Sequence, residues 1–451
     1  MRIHFIAIGG SAMHNMAIAM KLMGNVVTGS DDEINEPSKS RLAKHNLLPT
    51  ASGWRPEIIT ADIDEVILGM HARADNPELI RAQELGLKIF SYPEYLYEQS
   101  KNKTRVVIGG SHGKTSITAM VLHVLKFENI ETDYMVGAQL AGFETMVKTT
   151  SYAKFIVLEG DEYLASPVDR RPKFHLYHPH IALLSGIAWD HINVFPTFEN
   201  YIEQFRIFIN LIEQNGTLVY CEADDVLKKV CEGARKDITL KPYNVPPHEI
   251  VDGTTFLLRD GKRIPLLIFG DHNLMNVEGA RRVCAGMGVS DAQFDEAIQS
   301  FAGAARRLEL VRKAGTFSCF KDFAHSPSKL KATTAAVKKQ FPGRKVVACM
   351  ELHTFSSLTA DFLKEYNGSM NAADEAFVYF NPHTIAHKKL AAISEEQVKE
   401  AFARNDLNVS TDSKKLVEEL KSRQWDNSVL LLMTSGNFDG VDFAQLADAL
   451  H

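Results

Sequence analysis

The segment from Gly109 to Ser116, Gly-Gly-Ser-His-Gly-Lys-Thr-Ser, combines residue types that bind phosphate. It follows the apolar run 106–108 and precedes helically spaced apolar residues over 117–127, which predicts a strand, a loop and a helix N-terminus. Backbone N–H groups of such a loop turn inward on phosphate oxygens, the helix dipole favours anions, Lys114 supplies positive charge and the Thr115 hydroxyl can hold Mg2+. The pattern indicates that the chain binds a nucleoside triphosphate.

The loop is a shortened relative of the usual P-loop, because only three residues separate Gly109 from Gly113. A purely structural connection between strand and helix is the alternative. On the nucleotide-binding interpretation, we expect the following residues to contact ATP: Gly110, Ser111, His112, Gly113, Lys114, Thr115 and Ser116.

Two further strand ends carry groups that could bind metal. The apolar run 155–158 ends in Glu159-Gly160-Asp161-Glu162, and the run 181–185 leads to Trp189-Asp190-His191. Ligands gather beyond the carboxyl ends of parallel strands, so Glu159 and His191 are candidate metal ligands near the Lys114 loop. Thr115 and Glu159 suit one Mg2+, and a neutral His191 could complete a second site, with Mn2+ as an alternative ion. A solvated acidic turn and a loop histidine remain the alternatives.

The amino-terminal segment has the pattern of a Rossmann-like unit. A strand over 3–8, a turn at Gly9-Gly10-Ser11, a helix over 12–23 and a strand over 26–32 that ends in acids are predicted. The dinucleotide fingerprint is incomplete, although an acid there could contact a ribose. A NAD-dependent oxidoreductase is therefore an alternative, which leaves Lys114, Glu159 and His191 unexplained.

The length of 451 residues predicts about three domains. We expect an α/β protein with a Rossmann-like domain over 1–100, a P-loop domain over 101–305 and a Rossmann-like domain over 306–451. Within the second domain, residues 270–276 are predicted to lead into a helix around 277–286. In the third domain, strands are predicted at 345–350, 376–380 and 429–434. A glycine-rich loop over 435–440 follows the last of these strands.

Composition narrows the class of protein. Hydrophobic residues make up 45% and charged residues 24%, and no apolar run is long enough to span a membrane. The amino end lacks a small-residue cleavage site, so a cytoplasmic protein is expected. A net charge of -6 without a long basic run argues against nucleic acid as a partner. The five cysteines form no Cys-x-x-Cys pair and are predicted to be buried free thiols.

The ordered set of motifs resembles the Mur ligase family, the ATP-dependent enzymes that build the peptide stem of bacterial peptidoglycan. The resemblance covers essentially the whole chain. It rests on these segments: 8–13, 29–31, 110–115, 159–162, 190–191, 272–276, 306–309 and 322–327.

The resemblance implies a role for each domain: the first would bind a UDP-sugar, the second ATP, and the third the incoming amine. Lys114 would contact the β- and γ-phosphates, Thr115 and Glu159 would hold one Mg2+, and His191 the other. Further implied ATP contacts are His272, Asn273, Asn276 at the adenine, Arg307 and Asp322. Implied UDP-sugar contacts are Gly9, Gly10, Ser11, Ser30, Asp31 and His71.

The resemblance also implies a reaction, in which the carboxylate of UDP-N-acetylmuramate is phosphorylated and then attacked by an amine that His325 orients or deprotonates. Members that add L-alanine typically have two arginines after a Pro-His pair and a double histidine before proline. The matching stretches here, 351–357 and 324–327, lack both arginines and one histidine. This favours the tripeptide L-Ala-γ-D-Glu-meso-diaminopimelate over L-alanine, which stays the alternative. A monomer or weak homodimer is expected, and a non-catalytic nucleotide-dependent switch is a further alternative.

Overall fold

The structure is a computed structural model that describes residues 1–140, 142–189, 194–303 and 308–450. Backbone contacts divide the chain into two compact units. Unit 1 comprises Met1–Val245 and Met275–Ile298, and unit 2 comprises Pro246–Leu274 and Gln299–His451. Both units contain largely parallel sheets with helices between the strands, which confirms the α/β class. The boundaries at 100 and 305 stay a prediction.

The first sheet of unit 1 is parallel, with strand order β2-β1-β3-β4. Its strands are β1 (Arg2–Ile6), β2 (Val26–Ser30), β3 (Glu65–Leu68) and β4 (Lys88–Ser91). The accompanying helices are α1 (Ser11–Leu22), α2 (Ser38–Lys44), α3 (Pro77–Glu84) and α4 (Tyr92–Ser100). The predicted glycine turn joins β1 to α1. At α4, Ser91 and Glu94 form a capping box that satisfies N–H groups at the start of the helix.

The second sheet of unit 1 carries the segment 109–116, here named the phosphate loop. Its strand order is β11-β10-β9-β5-β8-β6-β7. It is parallel except where β7 pairs with β6. Its strands are β5 (Thr104–Gly109), β6 (Thr132–Met135), β7 (Val147–Lys148), β8 (Phe155–Glu159), β9 (Ile181–Leu184), β10 (Thr217–Cys221) and β11 (Thr239–Tyr243). The helices are α5 (Lys114–Phe127), α6 (Phe198–Asn210) and α7 (Asp225–Glu232). Because β5 pairs with both β8 and β9, their carboxyl ends lie at one edge.

Helix α8 (Asp271–Gly286) begins six residues before the predicted start at 277. Its first three residues, 271–273, are polar, and only Leu274 extends the apolar spacing of Val277 and Ala280 towards the N-terminus, so periodicity gave a weak signal there. Asp271 in the first turn is favourable to the helix dipole. Asn276 therefore lies within the helix rather than in a loop before it. The next helix is α9 (Asp291–Ile298).

Unit 2 combines an antiparallel sheet with a mainly parallel one. The first has order β12-β13-β14, and the second has order β15-β16-β20-β17-β18-β19 with β15 antiparallel to β16. The strands are β12 (His248–Val251), β13 (Thr254–Arg259), β14 (Lys262–Leu266), β15 (Glu309–Ala314), β16 (Phe317–Asp322), β17 (Lys345–Leu352), β18 (Glu375–Phe380), β19 (Asn408–Ser410) and β20 (Ser428–Met433). The helices are α10 (Pro327–Gln340), α11 (Ala360–Leu363), α12 (Pro382–His387), α13 (Glu395–Phe402), α14 (Ser413–Lys421) and α15 (Phe443–Ala449).

The parallel sheet of unit 2 is buried on both faces. Along β17, Val346 and Ala348 belong to one apolar cluster, whereas Val347 and Cys349 belong to another. This alternation follows the two-residue period of a strand and explains why β17 is apolar almost throughout. The three strands predicted in this region are present.

The cysteine prediction is confirmed, since all five thiols are free and buried. Among the described residues, none of the helices combines the length and apolar character required to cross a membrane.

Candidate active site

The glycines of the phosphate loop are required by backbone geometry and by close neighbours. Gly110 has φ 116°, and a Cβ there would lie 2.2 Å from Ser185 Oγ. Gly113 has φ 79°, and a Cβ there would lie 2.5 Å from Asn276 Oδ1. Residues with a Cβ rarely adopt such φ values, so the tight turn depends on glycine. The structure thus places Asn276 directly beside the phosphate loop.

Lys114, the first residue of α5, is held inside the loop. Its Nζ donates hydrogen bonds to the carbonyl of Gly110 and to Glu162 Oε2, each at 2.7 Å. Burial lowers the pKa of Lys114, but the combined attraction of the surrounding carboxylates, chiefly Glu162, outweighs burial, so the pKa lies above its ordinary value. The side chain is therefore a fixed cation at the helix N-terminus. Thr115 and Ser116 follow in the first turn of α5.

A chain of hydrogen bonds connects Glu162 to the phosphate loop. Tyr201 donates its hydroxyl to Glu162 Oε1 at 3.0 Å and is 3.0 Å from Ser111 Oγ. Ser111 Oγ accepts the N–H of Ala188 at 2.8 Å. Neither Glu162 nor Tyr201 was predicted from the sequence to have a role at the site. The position of Glu162 just beyond a strand end was a signal from which a role could have been predicted. Tyr201 gave no such signal, because its position in α6 is explained by the apolar face of that helix.

Thr115 and Glu159 meet as the sequence suggested. Thr115 Oγ1 donates to Glu159 Oε1 at 2.8 Å, and the N–H of Gly137 donates to Oε2 at 2.8 Å. Burial raises the pKa of Glu159 and exceeds the opposing effect of these two hydrogen bonds and of Lys114. A divalent cation would favour the charged form of this buried carboxylate, and a hydroxyl and a carboxylate are oxygen donors that fit Mg2+.

No set of three or more His, Cys, Asp or Glu side chains within the described ranges is arranged to hold a metal ion. Mg2+ is commonly bound by one or two protein groups together with phosphates and waters, so the Thr115–Glu159 pair is a sufficient donor set on the protein side. His191, the candidate for a second ion, lies outside the described residues, as does Arg307.

A cavity of about 390 Å3 in unit 1 connects the two predicted binding regions. Gly10, Ser11 and His71, which follow strands of the first sheet, line it together with Lys114 at the start of α5 and Glu159 at the end of β8. The remaining lining residues are Ala12, Met13, Met70, Tyr92, Met135, Val136, Gly137, Met146, Asp161 and Lys173. The glycine turn and the phosphate loop therefore face one space.

Asp31 stabilises the glycine turn from the end of the neighbouring strand. Its Oδ2 accepts the N–H of Gly9 at 2.7 Å, and its Oδ1 accepts the N–H of Asp32 at 3.0 Å. Burial raises the pKa of Asp31 to about 6, although the hydrogen bond from Gly9 opposes this shift. Ser30 is buried, and its carbonyl accepts the N–H of Ile8 at 3.0 Å. These contacts shape the turn at the start of α1.

The remaining predicted site residues lie in unit 2. Asp322, at the end of β16, accepts the N–H of Leu308 at 2.5 Å. His325 Nδ1 is 2.8 Å from the carbonyl oxygen of Phe323, which orients the imidazole ring. His272 and Asn273 lie in the first turn of α8.

Glu351, at the end of β17, was not identified from the sequence. Its buried Oε2 accepts the hydroxyl of Thr434 and, at 2.9 Å, the N–H of Phe438, while His353 Nδ1 lies 3.5 Å from Oε1. Phe438 and Asp439 adopt φ 50° and 60°, an unusual conformation that these contacts help maintain. The buried Glu351 carboxylate therefore stabilises the glycine-rich loop 435–440 through these hydrogen bonds. The sequence signal for a role of Glu351 was the presence of an acidic residue within the otherwise apolar strand β17.

Family models match almost the entire chain. The model of the Mur ligase family catalytic domain matches residues 2–104, that of the Mur ligase middle domain residues 108–284, and that of the Mur ligase glutamate ligase domain residues 306–436.

Individual relatives agree with these models. A UDP-N-acetylmuramate–L-alanine ligase of Caldicellulosiruptor bescii is 31% identical over 83% of this chain and 82% of that protein. A UDP-N-acetylmuramate–L-alanyl-gamma-D-glutamyl-meso-2,6-diaminoheptandioate ligase of Escherichia coli is 26% identical over 98% of this chain and 96% of that protein. The crystal structure of a UDP-N-acetylmuramate-alanine ligase from Thermotoga maritima has the same fold, with a TM-score of 0.69 at 20% identity over 100% of this chain and 98% of that one. The chain thus belongs to the Mur ligase family, whose members are ATP-dependent, ADP-forming amide ligases.

Proposed function

We propose that this chain joins the amine of a peptide to the carboxylate of UDP-N-acetylmuramate in peptidoglycan metabolism, and that the peptide is L-Ala-γ-D-Glu-meso-diaminopimelate. The observation that carries the proposal is the shared cavity of about 390 Å3, which Gly10 and Ser11 line together with Lys114. A UDP-sugar bound at the glycine turn would present its acid group towards the γ-phosphate of ATP held at the phosphate loop.

The first glycine turn is suited to the diphosphate of UDP. It precedes the N-terminus of α1, where backbone N–H groups and the helix dipole favour an anion. Asp31 holds the turn through the N–H of Gly9. On this proposal residues 1–100 bind the sugar nucleotide, 101–305 bind ATP and 306–451 bind the amine. The proposed UDP-sugar contacts are Gly9, Gly10, Ser11, Ser30, Asp31 and His71.

The chemistry follows from the low reactivity of a carboxylate towards an amine. A carboxylate oxygen attacks the γ-phosphorus of ATP in line and ADP leaves, which forms an acyl phosphate. The amine then attacks the carbonyl carbon, and inorganic phosphate leaves as the amide bond forms. Lys114 neutralises charge that develops on the transferred phosphoryl group. Thr115 and Glu159 would hold Mg2+, which when bound neutralises charge on the phosphate oxygens.

Further nucleotide contacts are proposed beyond the phosphate loop. Asn276 is adjacent to Gly113 of the loop, which supports a position near the nucleotide. Arg307 and Asp322 are proposed to contact the phosphates and the ribose, and His272 and Asn273 to contribute from the start of α8. The second ion is proposed to be held by His191.

The amine is proposed to bind in unit 2, beyond the strand ends. His325 would orient or deprotonate it, because the hydrogen bond to Phe323 fixes the ring. The stretch 351–357 contains no arginine that could clamp the carboxylate of free L-alanine. The name of the Escherichia coli relative, which is similar over nearly the whole chain, also supports a peptide as the substrate.

L-alanine is the second candidate amine. It is favoured by the Caldicellulosiruptor bescii relative, which is 31% identical and is named for that amino acid. The two candidates share the phosphoryl-transfer step and differ only in what unit 2 accepts.

An assay of phosphate release separates these candidates. The protein is supplied with ATP, Mg2+ and UDP-N-acetylmuramate, and then with the tripeptide, with L-alanine or with no amine. We expect phosphate release and an amide product with the tripeptide alone. Turnover with L-alanine alone would reassign the amine. ATP binding with slow turnover under every condition would contradict ligase activity and favour a nucleotide-dependent switch.

A further inference from the structure

The cavity of unit 1 is lined by a second ammonium group in addition to that of Lys114. Lys173 begins the short helical turn 173–176 and lines the same space as Ser11 and Lys114. Its side chain is only 14% exposed. Lys173 has no part in the motifs of the sequence, and it lies outside the phosphate loop.

Asp161 holds the Lys173 ammonium in place. The distance from Lys173 Nζ to Asp161 Oδ2 is 2.5 Å, and the rings of Tyr92 and Tyr163 are centred 5.8 and 5.7 Å from Nζ. Asp161 is itself fixed, since its Oδ1 accepts the N–H of Tyr163 at 3.1 Å and its carbonyl accepts the N–H of Phe174 at 3.1 Å. The cation is therefore preorganised at the wall of the cavity.

The Lys173 ammonium is charged and lies near the phosphate loop. Burial lowers the pKa of Lys173, but Tyr92 and Asp161 raise it by more, so the pKa lies above its ordinary value. Lys173 and Asp161 line the same cavity as Lys114 and Glu159, so the second ammonium shares the space that the phosphate loop faces.

A cation at this place meets a need of the proposed reaction. The carboxylate of the sugar nucleotide and the γ-phosphate are both negative and repel each other at the distance required for attack. Lys114 is assigned to the phosphates, whereas Lys173 has three N–H donors, of which Asp161 and the Tyr92 hydroxyl accept two, so one remains for a ligand. An ion pair of this kind is weak evidence for a role in stability alone.

We propose that Lys173, positioned by Asp161, binds the lactyl carboxylate of UDP-N-acetylmuramate and so selects an acid-bearing UDP-sugar. The inference rests on the proposed function and names a substrate contact within the same cavity. Lys173 holds the carboxylate near the γ-phosphate and reduces the repulsion between the two anions.

The test compares equilibrium binding of two sugar nucleotides in the absence of ATP. UDP-N-acetylglucosamine carries the same nucleotide and N-acetyl sugar as UDP-N-acetylmuramate but lacks the lactyl carboxylate. We expect Lys173→Gln to weaken binding of UDP-N-acetylmuramate by about tenfold to a hundredfold, the usual effect of losing a hydrogen bond to a charged group. Binding of UDP-N-acetylglucosamine should change less than about twofold.

Two further variants make the comparison decisive. Lys173→Gln leaves Asp161 without its cation, so the double variant Asp161→Asn with Lys173→Gln removes both charges and should fold with the same loss of preference. Lys154→Gln changes an exposed lysine directly before the first residue of β8, whereas Glu159 lies at the last. This variant should bind both sugar nucleotides as the wild type does.

The possible results separate the two proposals. If the wild type prefers UDP-N-acetylmuramate and the Lys173 variants keep that preference, only the role of Lys173 is overturned. An equal loss of affinity for both sugar nucleotides assigns Lys173 to structure and also overturns it. If the wild type has no preference for UDP-N-acetylmuramate, the proposed acceptor is wrong and the inference is wrong with it.

Discussion

Lys114 of the phosphate loop forms an ion pair with Glu162, which follows β8, with 2.7 Å between Nζ and Oε2 and with the Glu162 side chain 1% exposed. The pair holds the ammonium at the N-terminus of α5, so a triphosphate bound there as proposed would meet a cation that is already positioned. Preorganisation of this kind lowers the cost of stabilising charge in the transition state.

Replacement of Lys114 tests the phosphate loop directly. Lys114→Ala should lower kcat by about two to three orders of magnitude, because no other ammonium of the loop neutralises the transferred group. Phosphate release measures the rate, and circular dichroism should show an unchanged fold. Lys154→Ala, at an exposed position, is the matched control. Near-normal turnover of Lys114→Ala would show that the loop does not bind the reacting phosphates.

Tyr201 should contribute to both stability and nucleotide binding. Tyr201→Phe removes the hydroxyl that lies 3.0 Å from Glu162 Oε1 and from Ser111 Oγ, so buried polar groups lose a partner. We expect the free energy of unfolding to fall by about 1–2 kcal/mol and the KM for ATP to rise. Urea denaturation and steady-state kinetics provide the measurements. Tyr152→Phe, at a 70% exposed ring, should change neither; equal behaviour of the two variants would contradict the role of the network.

Alanine substitutions at two glycines should distinguish the cost of steric crowding from the cost of backbone strain. Gly110 has φ 116° and a Cβ there would lie 2.2 Å from Ser185 Oγ, whereas Gly288 has φ 92° and open space around it. We expect Gly288→Ala to cost about 1–2 kcal/mol of stability from strain alone. Gly110→Ala should cost at least about 2 kcal/mol more than that and abolish ATP binding. Chemical denaturation measures the loss of stability, and nucleotide titration measures ATP binding. Similar losses of stability in both variants would exclude steric crowding at Gly110.

Asp31 should give stability a pH dependence of defined sign. Burial raises its pKa from 3.8 to about 6 in the folded state, so the folded protein binds the proton more tightly than the unfolded chain does. This contribution is complete below the unfolded pKa and is lost as the pH rises through 6. Relative to Asp31→Asn, the wild type should lose up to about 3 kcal/mol between about pH 4 and pH 7.

Urea denaturation at several pH values measures this difference. Asp75→Asn, at a largely exposed carboxylate, should stay parallel to the wild type throughout. A constant offset between wild type and Asp31→Asn, or a difference that grows as pH falls, would contradict the raised pKa.

Glu351 should affect the amine and leave the sugar nucleotide unaffected. In Glu351→Ala the N–H of Phe438 and the hydroxyl of Thr434 lose their acceptor, so the loop 435–440 loses its support. On the proposed function, the KM for the peptide should rise at least about tenfold while the KM for UDP-N-acetylmuramate stays unchanged. Glu365→Ala, at an exposed position, is the control. Parallel changes in both KM values would assign Glu351 to general stability.

Local patterns in the chain predicted much of the fold. The loop 109–116 and the strand and helix that flank it are contiguous, so their residue types alone predicted this strand, loop and helix, whereas phosphate binding there stays a prediction. The strands of the third region were found from their apolar runs, because both faces of that sheet are buried. The start of α8 was missed, since residues 271–273 are polar and Leu274 alone extends the apolar spacing of the helix before Val277.

The contacts across the site belong to tertiary structure. Lys114 is 48 residues from Glu162, and Glu351 is 87 residues from Phe438, so no local pattern pairs them. Strand order brings them together: β5 lies between β8 and β9, and β17 pairs with β20. The crossover connections that set this order leave no periodic signal in the sequence.

The chain by itself determined the class of fold, the phosphate loop and the family resemblance, because each depends on residues close in sequence or on motifs in a fixed order. Only the folded protein decided that the glycine turn and Lys114 line one cavity, that Lys173 is held there by Asp161, and that Glu162 and Glu351 each support a loop. Those arrangements depend on how parallel strands and their crossovers pack, and packing joins residues that the sequence keeps far apart.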